Sequence, residues 1–73
     1  RLASVTLPTA SALAGQPLDD LALHALGVAV VSLRRANGKG ERVDGATLAG
    51  GDTLVLSGVP AALALAEAKL LAG

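Results

Sequence analysis

The sequence predicts a small α+β domain of order β-α-β-β-β-α, two helices laid on one side of a mainly antiparallel sheet in a two-layer arrangement. Three observations predict it. Apolar residues alternate with polar ones in "RLASVTLP" and "DTLVLS", the period of a half-buried strand. Two stretches, each opened by a proline, carry helical spacing or good helix formers: "QPLDDLALHALG" and "PAALALAEAKLLA". Between them, Asn37-Gly38 is a turn signal flanked by strand-like residues.

Each element follows from its residues. In "RLASVTLP", Ala3, Val5 and Leu7 share one face, and Pro8 ends the strand. "TASALAGQ" is a connector. Pro17 then suits a first helical position with Gln16 as cap, Asp19 and Asp20 favour the positive end of the dipole, and Gly27 terminates. Leu18, Leu21, Ala22, Ala25 and Leu26 are spaced as the buried stripe of an α-helix. "GVAVVSLRR" places Val28 and Val30 on one side and Ala29, Val31 and Leu33 on the other, which predicts a central strand covered on both faces. Asn37-Gly38 predicts a type I′ hairpin, with Gly40 to Val43 returning as a short polar strand. "DGATLAGGD" is a turn-rich link in which Thr47 and Leu48 touch the core. The last strand follows, with Leu54 and Leu56 facing one way. The closing helix has Leu63 and Leu70 on one stripe, Leu65 and Leu71 off it, and charges only at Glu67 and Lys69. A helix apolar around so much of its circumference is expected to be covered on a second side, by another subunit.

The 73 residues form one domain, 1–73, near the lower size limit for an independent core. With no Phe, Trp, Tyr or Met, that core is built from Leu, Val and Ala. Area burial and ordering entropy nearly cancel at this size, so oligomerisation or attachment to a larger body is expected. Six basic residues balance six acidic ones, and no Phe, Trp or Tyr is present to stack on a base, which argues against nucleic acid as a partner. Absence of cysteine removes disulfides and thiolate metal sites and fits a reducing compartment, the cytoplasm by default. No run has the length of a membrane span, so direct membrane insertion is not expected. The chain opens on Arg1 in an alternating segment, which predicts a domain excised from a longer protein.

The chemical inventory is small. His24 reads as a solvated residue near a helix C-terminus, and Asp19 and Asp20 as first-turn electrostatics, since adjacent helical side chains point about 100° apart. The serines lack a nucleophile-elbow context, no glycine-rich phosphate fingerprint occurs, and Glu41 and Asp44 are too sparse to ligate a metal. No catalytic residue and no metal site is expected. Arg34 and Arg35 stand out. On a strand they point to opposite faces, so two readings stay open: a charged hairpin end that keeps an edge soluble, or a guanidinium fork that binds an anion or carboxylate at a subunit interface.

Four stretches in order resemble one family. "SALAGQPLDDL" offers Leu13, Gly15, Leu18 and Leu21 in a hydrophobic-Gly step into Leu-x-x-Leu; "GVAVVSLRRANG" is an apolar strand ending in a basic residue and a turn; "LAGGDTLVLSG" carries Gly51-Asp52 before a strand; "PAALALAEAKLL" closes the chain. Together they resemble the C-terminal domain of regulator-of-potassium-conductance proteins, the TrkA-C domain. The resemblance implies a TrkA-C-like fold and a non-enzymatic, cytoplasmic regulatory domain that forms a homodimer. Its implied partner is the membrane transport domain, on the same or an associated chain, of a potassium transporter or cation:proton antiporter. Some members bind cyclic di-AMP at the dimer interface, and the corresponding ligand-binding positions here are Val30, Val31, Arg34 and Arg35. Members often carry a Pro after the hairpin, and "ERVDGATL" has none. The alternative expectation is a small-molecule sensor domain, of amino-acid-binding type, from a metabolic enzyme.

Overall fold

The computed structural model describes residues 1–72. Four strands, β1 (Leu2–Thr6), β2 (Ala29–Arg34), β3 (Gly40–Glu41) and β4 (Thr53–Ser57), form one antiparallel sheet in the order β1-β4-β2-β3. The helix α1 (Pro60–Ala72) and two short 3-10 turns, Leu18–Leu21 and Leu23–Leu26, supply the helical layer. The α+β class and the predicted order of elements hold. β4 lies between β1 and β2, and its Leu54 and Leu56 are completely buried, as the alternation predicts. Around them the core gathers Val5, Leu7, Leu33, Leu48, Leu63 and Leu70, with Leu13 from the connector.

The first helix departs from expectation. In place of one α-helix there are two 3-10 turns hinged at Ala22, which sits in the left-handed region at φ 50°. Leu21 and Leu23 are both buried, whereas Ala25 is exposed. On a continuous α-helix, positions two apart point about 200° from each other, so the helix would leave one of these leucines in water. The left-handed residue reorients the chain so that Leu18, Leu21 and Leu23 all face the core. The turns are closed by Ala22 N–H to Asp19 O (3.1 Å) and Gly27 N–H to His24 O (3.0 Å). Lys69 of α1 donates its Nζ to Leu21 O, a carbonyl left without a helical partner by the break.

β2 also differs. A bulge between Val30 and Ser32 inserts Val31 into the pairing with β4, so the side-chain alternation shifts by one. Leu33 therefore joins Val28 and Val30 on the core side, while Ala29 and Val31 remain exposed. The strand lies inside the sheet, but among the described residues nothing covers its outer face. The hairpin is also of another kind than the predicted type I′. Gly38 has positive φ and Asn37 does not, Gly38 N–H reaches Arg35 O (2.9 Å), and Asn37 Oδ1 accepts from Lys39 N–H (2.9 Å). This is a three-residue loop, Ala36–Gly38, ending in a left-handed glycine. It suits a strand ending in two bulky arginines, because one positive-φ residue is needed instead of two. The returning strand is two residues long, shorter than predicted. In the link after it, Ala46 and Leu48 are buried and Thr47 is exposed.

α1 buries Ala62, Leu63, Ala66 and Leu70. Its opposite side exposes Ala61, Ala64, Leu65, Ala68 and Leu71, an uncharged arc flanked by Glu67 and Lys69. Lys69 therefore has two tasks, edging that arc and tying α1 to the 3-10 layer. Replacing Lys69 with Met, which keeps the aliphatic stem, is expected to cost about 1 kcal/mol in urea unfolding because Leu21 O loses a charged donor. Ala22→Gly is expected to leave stability within about 0.5 kcal/mol of the parent, relief of the left-handed Cβ clash offsetting the added chain entropy, whereas Ala22→Val is expected to lower it by more than 1 kcal/mol.

Candidate functional site

At one end of the sheet, three segments converge on the turn that opens β4. Gly50 and Gly51 make this possible. A Cβ on Gly50 would overlap the Thr9 carbonyl, and Gly51 combines φ 83° with an approach to Ala36 in which an added Cβ would lie 2.9 Å from the Ala36 Cβ. With both side chains absent, the backbone of Asp52 is drawn against the end of β1: Leu7 N–H donates to Asp52 O (2.7 Å), and Gly51 N–H to Leu7 O (3.2 Å).

The Asp52 side chain is 1% exposed. Its Oδ2 accepts from Arg35 Nη1 at 2.6 Å and from Ala49 N–H at 2.8 Å, while Arg35 Nη1 also donates to Thr47 O at 2.9 Å. Oδ1 is buried without a hydrogen-bond partner. A carboxylate so placed has lost its hydration, and the Arg35 guanidinium is what compensates it. This is the one ion pair among the described residues.

The four sequence-predicted site residues do not converge on one surface. Arg35 turns inward to Asp52, and about a quarter of its side chain remains accessible. Arg34 turns outward beside Thr53 on the open face of the sheet, where its Nη1 reaches Gly38 O at 3.4 Å. Opposed directions for the two arginines are what strand geometry predicts. Val31 stands exposed at the bulge. Val30 lines a cleft of about 190 Å³ between β2 and the 3-10 turns, with Leu18, Leu23, Val28 and Val43 as apolar walls and Asp19 and His24 among its lining. Among the described residues no cluster of His, Cys, Asp or Glu could hold a metal ion, and no helix is long and apolar enough to cross a membrane.

In the sequence, Asp52 belongs to a turn and to the Gly51-Asp52 motif, and nothing local marks its side chain as one half of an ion pair. The available signal was an acid between two glycines and an alternating apolar strand, a position where an unpaired charge would be buried. Its partner, 17 residues earlier, has no local signature. Arg35→Ala is expected to destabilise the fold by about 3 kcal/mol, since it strands the Asp52 charge, and Arg34→Ala by less than about 0.5 kcal/mol. For a domain of this size the first amounts to a fall in Tm of more than about 10 °C by calorimetry, and the second to a few degrees at most. Replacing both partners, Arg35→Met with Asp52→Leu, is expected to recover much of the loss.

Among curated proteins, no sequence matches the chain. The model of the TrkA-C domain family matches it over residues 2–71. That span takes in the whole sheet, the Gly51-Asp52 turn with its arginine partner, both 3-10 turns and nearly all of α1. The chain belongs to the TrkA-C domain family, whose members are regulatory domains.

Proposed function

We propose that the chain is a non-enzymatic regulatory and dimerisation domain of a monovalent-cation transporter, acting on K+ uptake or cation:proton exchange, and that a small anionic ligand at the subunit interface biases the arrangement of two copies. The observation that carries this reading is the TrkA-C match over residues 2–71, nearly the full 73 residues. Two features of the fold support it. The outer arc of α1 exposes Leu65 at 60% and Leu71 at 49% with no charge between them, an apolar surface of the kind a neighbouring subunit covers. Arg34 has no carboxylate partner among the described residues, so its fork is open to an anion. In this reading Arg34 is the contacting residue, and Arg35, turned inward and anchored to Asp52, holds the end of β2 in place. Val31, exposed at the bulge, gives the ligand's apolar portion a surface, whereas Val30 lies in the cleft. A ligand acts as a regulator only by binding one arrangement better than another.

Light-scattering mass tests the dimer: twice the chain mass at high micromolar concentration is expected, and a monomer at millimolar concentration overturns it. Calorimetric titration with cyclic di-AMP tests the ligand. Saturable heat is expected for the parent and at least about tenfold weaker binding for Arg34→Ala, a charge-assisted bond to phosphate being worth roughly 1.5–3 kcal/mol. Absence of heat with the parent protein removes the nucleotide from the proposal and leaves the dimer standing.

A further inference from the structure

The tip of the hairpin between β2 and β3 carries a reactive pair that the proposed function does not use. Asn37 is the chain's single asparagine, and Asn37 and Gly38 are both exposed. Gly38 has φ 86°, and a Cβ added there would meet no atom within 4 Å, so its backbone nitrogen is unhindered. Asn37 Oδ1 accepts from Lys39 N–H (2.9 Å), a bond that draws electron density from the amide carbon Cγ and steadies negative charge developing on the oxygen. Four of the six basic residues, Arg34, Arg35, Lys39 and Arg42, lie in positions 34–42 with Glu41 the acid among them, and of the four only Arg35 has a carboxylate partner among the described residues. A positive surrounding of this kind favours the anion formed when a backbone nitrogen gives up its proton, and also a new carboxylate. One contact opposes reaction. Gly38 N–H donates to Arg35 O at 2.9 Å, which engages the nucleophile while the loop is closed.

We propose that Asn37 is a spontaneous modification site, converted to a carboxylate by ring closure onto Gly38, and that the bond from Gly38 N–H to Arg35 O sets its pace. When the loop opens, the Gly38 nitrogen passes its proton to hydroxide and attacks Cγ. A C–N bond forms, the bond from Cγ to Nδ2 breaks, and Nδ2 leaves as ammonia with a proton taken from water. Water then opens the imide ring. Cleavage at Cγ gives Asp at position 37, and cleavage at the main-chain carbonyl gives the isomer whose backbone runs through the side chain. The sum is amide plus water to acid plus ammonia, with no change of oxidation state. The normal acid keeps an acceptor for Lys39 N–H. The isomer adds a backbone carbon to a three-residue loop, so the bonds from Gly38 N–H to Arg35 O and from Arg34 Nη1 to Gly38 O lose their register. Either product sets a negative charge beside the Arg34 fork. The site itself does not depend on the proposed ligand or dimer; its effect on an anion at Arg34 rests on that reading.

The test ages the full 73-residue chain in mildly alkaline buffer and follows its intact mass, with peptide mapping and enzymatic isoaspartyl methylation to locate the products. The amide-to-acid mass gain is expected at Asn37 with both products present, and no gain on that time scale in Asn37→Gln. Mapping separates this site from Asp44-Gly45, a pair that closes the same ring without a change of mass. Conversion is expected to be at least about fivefold slower than in the blocked peptide Arg-Ala-Asn-Gly-Lys, because the loop must open first, and to reach the peptide's rate when urea unfolds the chain. Retention of the amide in the folded chain long after the peptide has converted overturns the site. Equal rates in the folded chain and the peptide overturn the control by the Arg35 carbonyl. Asn37→Asp is expected to bind cyclic di-AMP about two- to fivefold more weakly than the parent, an exposed charge being worth little more, and unchanged affinity removes the effect on the anion. If the parent gives no heat, the ligand reading fails, while mass and mapping still decide the modification.

Discussion

A single buried carboxylate fixes one end of the sheet. Asp52 is bonded through its backbone to the end of β1, through Oδ2 to the amide of Ala49, and through the same oxygen to Arg35 just beyond the end of β2. Three chain segments distant in sequence are thus referred to one residue. An isolated buried carboxylate would favour unfolding by several kcal/mol, and Oδ1, which has no partner, adds to that cost. The arrangement persists because Arg35 supplies the opposite charge at 2.6 Å. Such a pair contributes less net stability than its distance suggests, yet it penalises any register of β2 that would take Arg35 away from the turn. Register matters here because the core has no aromatic side chain to enforce it.

That scarcity shapes the remainder of the molecule. Without aromatic residues the core is built from leucines, valines and alanines, so each leucine carries a large share of the buried area. Devices that orient leucines therefore recur. Ala22 adopts a left-handed backbone so that Leu21 and Leu23 can both be buried, and Gly50 and Gly51 allow β1 and the opening of β4 to approach closely enough for Leu7 and Leu54 to meet the same core. Lys69 belongs to the same set, with its charge satisfying a carbonyl released by one of these irregularities.

The regular parts of this fold were legible because alternation reports directly on burial. Val5 and Leu7, Leu54 and Leu56, and Leu63 and Leu70 all lie where spacing put them. The irregular parts were not, since periodicity presupposes an unbroken element. Leu18, Leu21, Ala22, Ala25 and Leu26 fit a helical stripe on paper, but the burial of Leu23 shows that tertiary packing overrode it. Likewise, a single extra residue in β2 reversed the predicted side for Leu33. For the arginines, strand geometry gave their divergence but not their destinations. Arg35 is claimed by an acid that only the assembled chain brings near, and the cleft beside Val30 is made from three segments with no common motif.

Val31 occupies an unusual place in the economy of positions. The pairing of β2 with β4 steps from Val30 to Ser32 without it. Deleting it on paper joins those two residues and restores unbroken alternation, with Val30 and Leu33 still inward and Ser32 still outward. Every other residue of β2 is committed to a partner strand or to the core, so a change there propagates. Val31 is supernumerary to both, so the side chain at this one position sets the surface chemistry of the sheet without altering the hydrogen-bonded framework beneath it.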